Sequence, residues 1–82
     1  VPYLEKSRRK AVETKLLCLD TGGDINYLVT QICQTFLELK GESYSTYNEL
    51  IGALECCKLE LYRRKCSPYE DKKIIENGDV WL

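Results

Sequence analysis

The chain has 82 residues, 12 basic and 13 acidic side chains, a formal charge of −1 and no histidine. A near-neutral total supplies no global field toward nucleic acid or anionic membrane, and the lack of histidine removes the usual neutral-pH general base along with Cys/His and Ser/His nucleophile pairs. The length fits a single helical domain over 1–82, which buries too little of its own surface to be robust alone and makes self-association the cheapest source of added stability.

The first segment, residues 1–19, opens on Pro2 and Tyr3 and a basic cluster of Lys6, Arg8, Arg9 and Lys10. Ala11, Val12, Leu16 and Leu19 then recur at helical spacing, with Glu13, Thr14 and Lys15 on the other side. Thr21, Gly22 and Gly23 read as a turn, and Asp24 as the N-cap of a second helix. That helix carries the cleanest period in the chain: Ile25, Leu28, Val29, Ile32, Cys33, Phe36 and Leu37 make one apolar stripe. Lys40 and Gly41 supply its stop.

A third helix is expected to start between Ser43 and Thr46, with Thr46 and Glu49 at capping-box spacing and Ser43 or Ser45 as other caps. Leu50, Leu54, Cys57 and Leu61 form its seam, and Ile51, Ala53, Cys56 and Leu59 widen it, so this helix calls for cover on two sides. Ser67, Pro68 and Glu70 read as N-cap, N1 and N3 of a new segment, which predicts a kink or restart of the long helix at Ser67/Pro68. Asn77 and Gly78 end it, and the tail Asp79, Val80, Trp81 and Leu82 is apolar enough to dock into a groove between helices. The fold class is therefore all-α, a helical hairpin or three-helix domain with a long, interrupted C-terminal helix.

Five cysteines, two of them adjacent, read as thiols that serve as small hydrophobes, which points to a reducing interior such as the cytoplasm. Their spacing offers no CxxC unit, so neither a metal nor another cofactor is expected. No apolar run approaches the roughly 20 residues of a membrane span, and no signal-peptide pattern is read ahead of the first helix. Three helices with basic clusters raise the question of DNA binding, but the third helix is apolar nearly all round and carries Glu49, Glu55 and Glu60, which disfavours a recognition helix.

Glu49, Glu55 and Glu60, with Glu70 and Asp71 beyond the break, are the carboxylates a Mg²⁺-dependent all-α pyrophosphohydrolase would need. Spacings of six and five keep the first three off one helix face. Glu55 and Lys58 sit three apart within the apolar surface, as an intrahelical ion pair or a polar spot in a groove. The strongest binding candidate is Tyr62, Arg63 and Arg64, with Lys65 following and Tyr69 within reach: guanidiniums grip an anionic group while a ring stacks on a base. The same basic residues also suit the negative end of a helix dipole.

Residues 24–30 (DINYLVT), 47–64 (YNELIGALECCKLELYRR) and 68–80 (PYEDKKIIENGDV) resemble a family of short uncharacterised proteins from tailed bacteriophages and prophages, and the Pro2/Tyr3 lead-in is similar to that family's start. The adjacent Cys56 and Cys57 and the Trp81 depart from the pattern. The resemblance implies a phage accessory protein acting in the bacterial host cytoplasm, and carries no activity with it. The expectation is a non-catalytic, oligomeric binding protein whose ligand is a nucleotide, such as an immune signal, or a host protein, with the metal-dependent pyrophosphohydrolase and a purely structural helical assembly module as the alternatives.

Overall fold

The computed structural model describes residues 4–12 and 19–81, with Lys10, Ala11 and Val12 described by backbone alone. In chain order it has α1 (Lys6–Val12), α2 (Gly22–Lys40), α3 (Tyr44–Leu61), a π-helical segment (Tyr62–Cys66) and α4 (Ser67–Asn77). The protein is all-α, and no strand occurs among the described residues. The long C-terminal helix covers residues 44–77 with the π turn inside it. Residues 1–50 and 51–82 form two compact units.

In the first unit, α1 takes in the basic cluster of Lys6, Arg8, Arg9 and Lys10, and Leu19 belongs to no helix. The expected positions of Pro2, Tyr3, Glu13, Thr14, Lys15, Leu16 and Cys18 lie outside the described residues. α2 begins three residues earlier than an N-cap at Asp24 would give. Thr21, extended at φ −120° and ψ 167°, is the N-cap, and its Oγ1 accepts from the Asp24 N–H at 3.3 Å. Asp24 occupies N3 and reaches back, accepting from the backbone N–H groups of Thr21 (3.0 Å) and Asp20 (2.9 Å). Gly22 and Gly23 are thus first-turn residues and not a turn before the helix, because a reciprocal capping box satisfies donors that a cap at Asp24 would leave open. These bonds stabilise the carboxylate and hold Asp24 below the usual aspartate range, the Thr21 N–H having the largest effect and the Asp20 N–H the next.

Along α2, Leu28, Val29, Cys33, Phe36 and Leu37 are half-buried, whereas Ile25 and Ile32 of the same stripe are exposed. Gly41 ends the helix at φ 83°, its N–H donating to Leu37 O at 2.8 Å. Ser43 is the residue that caps α3: its Oγ accepts from the Thr46 N–H at 3.2 Å and lies 3.0 Å from the Thr46 hydroxyl. Thr46 is 8% exposed, and no apolar side chain among the described residues is fully buried.

The second unit carries the interruption expected near Pro68, and its form is informative. Ser67 is itself helical (φ −61°, ψ −49°), and its N–H donates to Tyr62 O, five residues back. In an uninterrupted α-helix the Pro68 ring would meet the carbonyl of Arg64. Widening the preceding turn to π spacing relieves that conflict without ending the helix. Glu70 does not turn back to a cap; it serves Tyr62 instead. Gly78 closes α4 at φ 84°, donating to Ile74 O at 2.8 Å.

The tail departs from expectation. Val80 and Trp81 are 88% and 86% exposed, and they fold back beside α4 to form an open cleft of about 320 Å³ with Glu70, Lys73, Ile74 and Asn77. The Trp81 N–H donates to Asp79 Oδ1 at 2.9 Å, a local turn that sets the tail beside α4. Leu82 lies outside the described residues.

Candidate functional site

Tyr62, Arg63 and Arg64 fall in the π segment, and Tyr69 in the first turn of α4, so all four candidate residues flank the one irregular turn of the long helix. Single π turns inside α-helices recur at functional sites because the extra residue re-aims side chains. Its effect here can be worked out. Eight residues of α-helix subtend about 800°, which would set Tyr62 and Glu70 about 80° apart around the axis. With one residue absorbed by the π turn the angle falls to about 700°, within roughly 20° of two full turns. Accordingly Tyr62 Oη donates to the Glu70 carboxylate, at 3.1 Å and 3.3 Å to its two oxygens. That hydrogen bond, helped by the carboxylate charge, raises the Tyr62 phenol above its ordinary value.

Both arginines converge on Glu60, the last acidic residue of α3. Arg63 Nη2 donates to Oε1 and Oε2 at 3.0 Å and 2.9 Å, and Arg64 Nε pairs with Oε1. Spacings of three and four put the two guanidiniums on either side of one carboxylate. The arginine side chains remain 68% and 61% exposed, while that of Glu60 is 31% exposed, so the anion is the most enclosed member of the group. Tyr69 is exposed, with Lys73 Nζ 5.5 Å from its ring centroid, a cation–π distance. One face of that ring is thus already occupied by a cation from its own helix.

Glu55 and Lys58 form the expected ion pair at 3.0 Å, and both side chains are more than half exposed. They sit on the surface of α3, more than a turn before the π segment. At such exposure the pair contributes little to stability. Of the other carboxylates considered for metal chemistry, Glu60 is held by arginines and Glu70 by Tyr62. Among the described residues no group of three or more His, Cys, Asp or Glu side chains is gathered as a metal ion would require. Cys33, Cys57 and Cys66 are free thiols. No helix among the described residues is long and apolar enough to cross a membrane.

Glu60 is a site residue that the spacing of the carboxylates alone does not pick out. The signal was present in the i+3 and i+4 arginines. Tyr62 and Glu70 were harder to connect, since their separation of eight places them on one face only if the π turn is known.

The family model described as "Domain of unknown function (DUF6899)" matches residues 1–80, and the chain belongs to that family. No curated protein and no solved structure matches it.

Proposed function

We propose that this protein is a non-catalytic accessory protein that works by binding, and that the turn bearing Tyr62, Arg63, Arg64 and Tyr69 recognises an anionic group on its ligand. The observation carrying this reading is the double hold of Arg63 and Arg64 on the Glu60 carboxylate. A carboxylate gripped by two guanidiniums stands in for the acidic group of a ligand, which would displace it by offering the same oxygens. The exposed, uncovered setting of these side chains favours an acidic polypeptide surface over a small molecule, because small ligands are bound in concave sites that enclose most of their area. Lys73 over Tyr69 likewise leaves one ring face fewer for stacking on a base. The likeness of residues 47–64 and 68–80 to short phage and prophage proteins supports a setting in which the partner is a bacterial host protein, with a nucleotide signal as the second reading.

Fluorescence anisotropy with labelled poly-glutamate and with labelled mono- and cyclic nucleotides tests this. We expect salt-sensitive binding of the acidic peptide, weakened at least about tenfold in the Arg63→Ala/Arg64→Ala chain. Binding of neither ligand class, or binding indifferent to both arginines, would remove the proposal. Tighter binding of the nucleotides, equally arginine-dependent, would select the second reading.

A further inference from the structure

We infer that the tail cleft of the second unit is a docking site for a basic side chain, an arginine above all, carried by a partner polypeptide. The cleft, of about 320 Å³, is lined by residues between 70 and 81 alone, so its form is set within that unit. Its apolar wall is Ile74 of α4 with Val80 and Trp81 of the tail, and the rest of the unit covers neither Val80 nor Trp81. The turn at Asp79 sets the indole at the rim.

Three observations select the occupant. The first is uncompensated charge. Glu70 and Asp79 both line the cleft, and each is hydrogen-bonded by a neutral donor, Glu70 by the Tyr62 hydroxyl and Asp79 by the Trp81 N–H. A neutral donor satisfies an oxygen and leaves the negative charge in place. The second is that Lys73, the one cation among the described lining residues, is already engaged. Its Nζ lies 3.1 Å from Glu76 and 5.5 Å from the Tyr69 ring centroid, so its charge is offset outside the carboxylate pair. The third is the indole itself. Tryptophan offers the best aromatic face for a cation, and a guanidinium can stack on it while its planar fork meets a carboxylate.

Size and setting point to a side chain on a polypeptide. The cleft stands at the small end of the roughly 300–1,000 Å³ of ligand pockets and opens to solvent, so it grips one projecting group and does not enclose a whole small molecule. The aliphatic stem of an arginine would lie along Ile74 and Val80 with its head toward the carboxylates. Residues 67–82 hold four carboxylates against two lysines, a local field that favours a basic segment over an acidic one. The inference does not rest on the anion-binding reading: it uses neither Arg63 nor Arg64 and takes a ligand of opposite charge.

Anisotropy of a labelled peptide of alternating arginine and alanine, set against its neutral citrulline counterpart, tests this on the full chain. The arginine peptide should bind in a salt-sensitive way, and the citrulline peptide at least about tenfold more weakly. Glu70→Gln with Asp79→Asn keeps both acceptors and removes both charges, and should weaken the arginine peptide by about the same factor, as should Trp81→Ala. Glu38→Gln, at an exposed position of α2, should leave affinity unchanged. In an isotope-labelled chain the single indole N–H resonance, that of Trp81, should move as the arginine peptide saturates. Equal binding of the citrulline peptide overturns the inference, as does affinity indifferent to Glu70 and Asp79 or an indole resonance that stays in place. Arginine amide binding as tightly as the peptide overturns it too, since no polypeptide would then be needed. Should the double variant lose its far-UV helical signal, Trp81→Ala and the indole resonance of the wild type decide.

Discussion

Replacing Pro68 with alanine tests the account of the π turn directly. The turn is attributed above to a ring that cannot sit against the Arg64 carbonyl in an α-helix. Alanine restores an N–H and removes that ring, so the α pattern of hydrogen bonds can close through residues 62–68. One residue then returns to the regular count, and everything beyond it rotates by about 100° about the helix axis. Glu70 would move to about 80° from Tyr62, and their hydrogen bond at 3.1 Å could not survive. The readout is the Tyr62 phenol, whose pKa is raised in the wild type first by its hydrogen bond to Glu70 and then by that carboxylate's charge. In Pro68→Ala it should fall toward the ordinary tyrosine value, followed by the ring carbon resonance of a selectively labelled sample as pH rises. Glu70→Gln, which removes the charge and leaves the π turn in place, should lower it as well. Replacing Pro68 should also raise helicity in far-UV circular dichroism, because an interior proline is unfavourable relative to alanine. If Tyr62 titrates in Pro68→Ala as it does in the wild type, the proline is not what holds the turn open.

Four further outcomes follow from the same geometry. Thr21→Ala should cost about 1 kcal/mol in chemical denaturation, the usual value of a lost N-cap. Asp24, with its folded pKa depressed, adds stability that is fully present above the unfolded value near ~3.9 and is lost as pH falls through the lower folded value; Asp24→Asn should flatten that acid limb of the melt. Gly78→Ala should destabilise by about 1–3 kcal/mol, since its φ of 84° and ψ of 152° belong to a region that only glycine enters easily; a melt unchanged by this substitution would contradict the helix end described. Glu60→Gln removes the internal carboxylate from Arg63 and Arg64, so affinity for an acidic peptide should rise in the same anisotropy titration, and a fall would mean that Glu60 orients the arginines and does not compete for them.

The helices were legible because their signals are local. The α2 stripe, the stops at Gly41 and Gly78 and the ion pair of Glu55 with Lys58 each follow from spacing within one or two turns. Errors arose where two local rules competed. Paired glycines argued for a turn at residues 22–23, but the Thr21/Asp24 capping box forms three hydrogen bonds between side chain and backbone and sets the start of α2. Ser67, Pro68 and Glu70 satisfied the pattern of a fresh helix start, yet that pattern does not record that the turn upstream can widen. The docking of the tail failed for a different reason. Apolar residues at 80–81 announce that burial would be favourable, but the Asp79 turn decides where the chain goes. At the candidate site, the residue types and their proximity were visible in sequence, whereas the two bonds that organise them run through Glu60 and Glu70.

Trp81 is the single tryptophan of the chain and stands almost wholly in solvent at the rim of the tail cleft. The protein therefore carries a built-in optical reporter at one known spot. Its emission will be that of a water-exposed indole in the free chain, and any occupant of the tail cleft must shift it to the blue. A partner that touches Arg63 and Arg64 and stays clear of the cleft leaves the emission where it was. Complexes can thus be sorted by the surface they cover, with no label attached.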